Sequence, residues 1–467
     1  MTGLPFDWPD DGVGLLSERL AAAVQAAIST GRLRPGDRLP SSRTVAAELE
    51  VSRWVATQAY EHLAAAGWLS ARTGSGTHVA ALAPVSVRPP KPATTIPSGP
   101  PADRPVRMLD LAPSVPDLAS FPRSAWRAAL TRVLATLEHS DLGYPDPRGD
   151  TLLRGQVCQY LRRVRGIDVG IMDVLITRGA AHGLGLLCRV LAADGRTAIA
   201  MEEPGWPRAR AVATAAGLRP LPLPVDHHGL RTDRLDGSQV DGVFVTATHQ
   251  YPTGVPLSAA RRTALLRWAR DQQSLVIEDD YDAEFRFDRR PVGALASLDQ
   301  ERVAYLGSTS KTLAPAIRLG WLVLRGPLAH RVAALLEVEA AAAPTLEQRT
   351  LATLLGSGSY DRHLRRMRRI YQSRREAMIG ALREAIPLAD PRGMPAGMHL
   401  LVDLPNNVDE QAVLTRARQL GLILRGLGSC YSTTPTPAGL IIGYAGVRET
   451  DAPHIARTIA QALIHTP

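Results

Sequence analysis

"STSKTLAPAIRLG" (residues 308–320) holds one of only two lysines in a chain of 467 residues. The other is Lys91, and every other member of the 54 Lys and Arg is arginine. A chain that meets its need for plain positive charge with arginine keeps a lysine where arginine fails. Imine formation is such a case, because it requires a primary amine. Around Lys311, the hydroxyls of Ser308 and Ser310 and the forked cation of Arg318 suit a phosphate. The plainer alternative is that Lys311, like Lys91, is a chance survivor of the arginine bias.

Working outward, short apolar or β-branched runs alternate with helix-length segments: "VLIT" (174–177), "TAIAME" (197–202), "GVFVTAT" (242–248), "LVIED" (275–279) and "VAYLGS" (303–308). This alternation predicts an α/β domain with a mostly parallel sheet covered on both faces. Ligands in such sheets sit beyond the carboxyl ends of the strands. Two chemically equipped stretches fall there. One contains Lys311; the other is "LVIEDDYDAEF" (275–285), in which Asp279 ends a strand and Tyr281 follows two residues later. A carboxylate fixed at a strand end can keep a pyridine nitrogen protonated, and a phenol can donate to a ring oxygen.

The first 81 residues read differently. "LLSERLAAAVQAAISTG" (15–31) predicts an amphipathic helix, "PSSRTVAAELE" (40–50) a second, and "VSRWVATQAYEHLAAAG" (51–67) a third with Ser52 as N-cap. In the third, Val55, Ala59 and Leu63 share an inner face, so Arg53, Trp54, Thr57 and Gln58 point outward. "WLSARTGSGTHVA" (68–80) predicts two strands about a tight turn. Three helices and a hairpin give the winged helix-turn-helix order, whose third helix suits a major groove. Charge does not carry this reading: residues 1–80 hold seven Arg and eight acidic residues. A bundle with solvated arginines would have the same balance.

Between the blocks, residues 82–108 are rich in proline and lack periodicity, which predicts a semi-extended linker rather than a long loop within one domain. The expected organisation is therefore a DNA-binding domain at 1–81, a linker at 82–108 and a large domain at 109–467. Three scattered cysteines (Cys158, Cys188, Cys430) show no metal or disulfide spacing. No signal peptide or membrane span is visible, so a cytoplasmic protein is expected. The net charge of +9 permits nucleic-acid binding without requiring it. "RHLRRMRRIYQSRR" (362–375) is the densest basic run; Leu364, Met367 and Tyr371 give it an inner face. Its arginines read first as a solvated helix face and second as a supplementary contact to DNA phosphates.

"GRLRPGDRLPSSRTVAAEL", "VSRWVATQAYEHLAAAGWL" and "RTGSGTHVA" together resemble the GntR family of bacterial regulators. The resemblance implies DNA contacts from Arg43, Ser52, Arg53 and Thr57, with Gly74 to Gly76 at the wing tip. Two positions depart from the family: Trp54 stands where Thr or Asn is common, and Thr57 where some members carry arginine. The large block resembles fold type I aminotransferases through "GYPDPRGDTLLR" (143–154), "TRGAAHGL" (177–184), "EEPGWPRAR" (202–210), "HQYPTGVPLSAARR" (249–262), "EDDYDAEF" (278–285) and the lysine stretch. With both blocks, the whole chain resembles the MocR subgroup of GntR regulators.

That resemblance implies pyridoxal 5'-phosphate held by Lys311. Asp279 would pair with the pyridine nitrogen, Tyr281 with the phenolic oxygen, and Trp206 would stack on the ring. Gly179, Ala180, Ser308, Ser310 and Arg318 would take the phosphate, and Tyr144 would come from the partner of a homodimer. His182 and His249 read as structural, and Tyr251 stands where many aminotransferases carry asparagine. The arginine that grips a substrate carboxylate in such enzymes aligns with Ile441, with Arg425 nearby as a substitute. The implied function is a regulator that binds a double-stranded DNA operator and senses pyridoxal phosphate, an amine or an amino acid. The alternative is a working aminotransferase with a DNA-binding appendage.

Overall fold

The computed structural model describes residues 4–8, 15–72, 76–81, 108–288, 292–387, 391–405, 407–433 and 437–464. The chain divides into two units, residues 1–104 and 105–467. Apart from Met108, the stretch 82–108 lies outside the described residues, as does Gly74.

In the first unit, helices Leu16–Ser29, Ser42–Glu48 and Arg53–Ala65 precede an antiparallel hairpin of strands Leu69–Arg72 and Gly76–Val79. The caps follow from the sequence. Ser41 accepts from the Thr44 N–H at 3.1 Å, and Ser52 accepts from the Val55 N–H at 3.4 Å. The core gathers Phe6, Leu20, Val24, Leu33, Leu39, Val45, Leu63, Leu69 and Val79. The third helix buries Ala56, Ala59, Tyr60 and Leu63, while Val55 is only half-buried. The inner stripe is thus rotated by about one residue from the expected Val55–Ala59–Leu63 line. Tyr60 causes the rotation: its ring is buried and its hydroxyl donates to the Pro40 carbonyl at 2.9 Å.

The second unit is built on an eight-stranded sheet. Its spatial order is Val174–Thr177, Gly320–Val323, Val303–Ser308, Leu275–Asp279, Gly242–Val245, Ala198–Glu203, Arg219–Asp226 and Gly229–Leu230. The run from Val303–Ser308 to Arg219–Asp226 is parallel. All five expected strands are present, although the third stops at Val245 rather than running to 248. Three strands of this sheet were not expected: Arg219–Asp226, Gly229–Leu230 and Gly320–Val323, the last of which returns antiparallel between two parallel-oriented neighbours. Successive side chains go to opposite faces. Val276 and Val243 join one core with Trp321 and Tyr371, while Ile277 and Phe244 join another with Leu184 and Leu187. A separate antiparallel sheet carries His399–Asp403, Gly439–Gly443 and Arg425–Gly426. No helix among the described residues is long and apolar enough to cross a membrane.

Candidate cofactor pocket and DNA-reading face

Three consecutive carboxylates, Glu278, Asp279 and Asp280, stand where the strand Leu275–Asp279 ends, and strand alternation separates their roles. Glu278 accepts from the backbone N–H groups of Leu295 and Ala296 at 2.8 and 3.0 Å. Asp280 pairs with Arg165 at 2.6 Å and accepts from the Tyr305 hydroxyl at 2.8 Å. Asp279, between them, lines a cavity of about 210 Å³. Its Oδ1 is buried without a hydrogen-bond partner. Burial pushes the Asp279 carboxyl up to about 7, with Lys311 pulling the other way. Burial also lowers the Lys311 amine, against the opposing pull of Asp279 and Asp282.

The cavity is also lined by Gly179, Ala180, Trp206, Tyr281, Ser308, Ser310, Lys311 and Arg318. These residues come from five separate segments of chain, brought together at one end of the sheet. Gly179 takes φ +100° as it opens helix Ala180–Ala193, and a Cβ at Gly320 would lie 2.9 Å from the Gly179 Cα. Two glycines therefore let the strand Gly320–Val323 pass close to the helix start. The Ser308 hydroxyl accepts from the Ser310 N–H at 3.1 Å. Arg318 adopts φ 54°, a left-handed conformation that costs a bulky residue about 1–3 kcal/mol and clusters at functional sites. Trp206 packs near Phe244, with ring centroids 6.5 Å apart, and also lines the cavity.

Tyr281 is held from behind. Nδ1 of His249 lies 3.0 Å from its hydroxyl and 2.9 Å from Oδ2 of Asp282. His182 accepts from the Arg178 N–H at 3.0 Å, and burial lowers it to about 4, so it is a neutral acceptor.

Other expected residues lie elsewhere. Tyr144 is fully exposed and is not part of the pocket. Ile441 is buried in an apolar cluster with Leu401, Leu427 and Cys430. Arg425 is its register partner, yet its guanidinium is 3.7 Å from Asp110, and Arg425 does not line the cavity. The cation the sequence reading passed over is Arg208. It lines the cavity and is exposed, with no hydrogen-bond or ion-pair partner among the described residues. It stands two residues after Trp206 in "GWPRAR", which was a signal. Ser114, also in the wall, gave none: it is a lone serine whose buried Oγ has no partner.

In the first unit, Arg43 and Arg53 are exposed. Thr57 departs from the outward reading: it is half-buried, and its hydroxyl donates to the Arg53 carbonyl at 2.9 Å. The Ser52 hydroxyl caps its helix. Gly76 opens the second hairpin strand at φ +93°. In the basic helix Ser359–Ala385, Leu364, Met367 and Tyr371 are buried as expected. Arg368, Arg374 and Arg375 turn to carbonyl or carboxylate partners, whereas Arg365, Arg366 and Arg369 are exposed.

Comparison with known proteins agrees with this division. Residues 16–79 match the bacterial regulatory proteins of the gntR family, and residues 106–459 match aminotransferase class I and II. The chain is 33% identical over 451 residues to the pyridoxine biosynthesis transcriptional regulator PdxR of Corynebacterium glutamicum, covering 95% of each. It is 32% identical to the probable rhizopine catabolism regulatory protein MocR of Rhizobium meliloti, covering 92% of this chain and 90% of that one. Among solved structures, kynurenine aminotransferase of Pyrococcus horikoshii superposes with a TM-score of 0.71 at 25% identity, covering 77% of this chain and 91% of the other. The chain belongs to the MocR subgroup of the GntR regulators, in which a helix-turn-helix module is joined to a domain of the class I and II aminotransferase fold.

Proposed function

We propose that the chain is a DNA-binding transcription regulator whose large domain holds pyridoxal phosphate and responds to it or to an amine or amino acid. One observation carries the reading: Lys311, Asp279, Tyr281, Ser308, Ser310 and Arg318 meet in a single cavity in a chain that also has an exposed reading helix. The residues fit the cofactor. The unpartnered Asp279 Oδ1 supplies the acceptor that a protonated pyridine nitrogen needs. The positive-φ glycine at a helix start, with two hydroxyls and a guanidinium, suits a phosphate. The Pyrococcus horikoshii relative in fold was solved in complex with PMP.

When bound, the cofactor supplies a carbonyl that amines condense with and an electron-withdrawing ring. Lys311 supplies the holding amine, and its lowered pKa leaves more of it neutral and nucleophilic. Asp279 holds a proton at the ring nitrogen. His249, itself oriented by Asp282, fixes the Tyr281 phenol beside the site. Arg208, exposed at the cavity wall and unpaired among the described residues, favours an effector bearing an anionic group. The exposed Leu134, Leu142, Tyr144 and Leu152 support a homodimer in which these side chains are covered. The domain limits 1–81, 82–108 and 109–467 and a cytoplasmic location complete the proposal.

An effector changes transcription only if it binds two arrangements of the protein unequally. Operator affinity should therefore shift when pyridoxal phosphate, or pyridoxal phosphate with an amine panel, is titrated into apo protein. Identical affinities throughout would remove the sensing role. With Ile441 in place of a carboxylate-gripping arginine, transamination of common amino acids with 2-oxoglutarate should be slow or undetectable. Multiple turnovers at ordinary enzymatic rates, about 1–1000 per second, would promote the aminotransferase reading.

A further inference from the structure

Most outward side chains on the reading helix are already committed. The Thr57 hydroxyl is bonded to the Arg53 carbonyl, and the Gln58 amide donates to Glu61 at 2.8 Å. The side chains of Arg53 and Trp54 remain at the helix start, both exposed and without a hydrogen-bond or ion-pair partner among the described residues. Trp54 is 68% exposed, and no other aromatic side chain in the first unit is among its exposed large apolar residues. Packing does not require it, because the helix seats itself through Ala56, Ala59, Tyr60 and Leu63. A large indole in water gains free energy from any partner that covers it, at about 25 cal/mol per Å².

We infer that Trp54 reads a thymine in the major groove beside a guanine read by Arg53. This rests on the DNA-binding reading above and adds the base that Trp54 selects. An indole offers an apolar face and one N–H donor, with no acceptor. Of the base edges in the major groove, thymine alone presents a methyl group together with a carbonyl acceptor. Cytosine presents an amino donor that the indole cannot accept. Adenine adds an amino donor to its N7 acceptor. Guanine offers two acceptors but no apolar group, and the forked Arg53 matches that pair better. The two adjacent side chains are thus complementary to different bases.

The test begins by selecting duplexes from a random pool with the full chain, as wild type, Trp54→Ser and Trp54→Phe; serine has no methyl to lay against thymine. The wild type should enrich a half-site with at least one required thymine, and Trp54→Ser should lose the preference at that position only. Deoxyuridine placed there removes the methyl alone. It should weaken wild type and Trp54→Phe about fourfold, the worth of one buried methyl, and leave Trp54→Ser unchanged. Melting curves of the three proteins should coincide, because Trp54 is outside the core. If Trp54→Ser enriches the same motif, or shows the same deoxyuridine sensitivity as wild type, the inference is wrong. If wild type enriches no motif, the operator-binding reading itself fails, and this inference with it.

Discussion

The reading helix and the cofactor pocket place function on opposite sides of the burial divide. Arg43, Arg53 and Trp54 project from a unit whose core is complete without them. Asp279 is buried, with one oxygen unpartnered and its carboxyl pushed up to about 7. A surface reader can be exchanged at little cost to folding, whereas a buried charge that awaits a ligand destabilises the protein until the ligand arrives. Substitutions should therefore separate binding from stability in the first region and couple them in the second.

The largest effect is expected at Lys311. Lys311→Arg keeps the charge but removes the primary amine, so the visible absorbance band that borohydride bleaches in cofactor-loaded wild type should vanish. Persistence of that band would break the pocket assignment outright. Next is Arg53→Ala, which removes a forked donor worth about 1–3 kcal/mol when it pairs with a base. Operator affinity in a gel-shift titration should fall about 5- to 150-fold, with the melting temperature and the cofactor band unchanged. Unchanged affinity would take Arg53 off the reading face.

Asp279→Asn addresses the coupled side. A carboxyl whose pKa is raised on folding destabilises the folded state while ionised. That penalty is present above pH about 7 and is relieved as pH falls from about 7 toward 4. Asp279→Asn should make the apo protein more stable at pH 8, because the amide carries no charge to desolvate. It should also flatten the gain in stability on acidification. Glu202 and Glu284, also raised to about 7 by burial, will keep part of that slope. Cofactor retention by the variant should fall in dialysis. Lower apo stability at pH 8 would mean that Asp279 already has a compensating role.

The smallest effect is expected on the basic helix. Replacing Arg365, Arg366 and Arg369 with Gln should change stability by no more than about 0.5 kcal/mol and leave the salt dependence of operator binding unaltered. A slope reduced by about 0.9 per arginine removed would instead place DNA phosphates on this face.

Much was legible in the sequence because it was encoded by local physics. Strand alternation, Ser41 and Ser52 caps and the retention of lysine at 311 all act over a few residues, and the helices and strands they predict are present. Position also singled out Asp279 as the carboxylate that ends its strand, and the strand does end there. Other features depended on segments distant in sequence. The inner stripe of the reading helix turned by one residue because Tyr60 found the Pro40 carbonyl, twenty positions away. Thr57 is a local exception: its hydroxyl bonds the carbonyl four residues back in its own helix, a bond threonine commonly makes. The insertion of Gly320–Val323 between two strands, one of them 143 residues earlier in its first pairing (320 against 177), is decided by packing across the sheet. The same assembly put Arg208 and Ser114 in the pocket wall and kept Arg425 beside Asp110. The sequence determined which chemical groups the protein has and which local elements carry them. Which of those groups share one cavity was decided only when distant strands paired, because proximity across a sheet depends on strand order and register, which local periodicity does not specify.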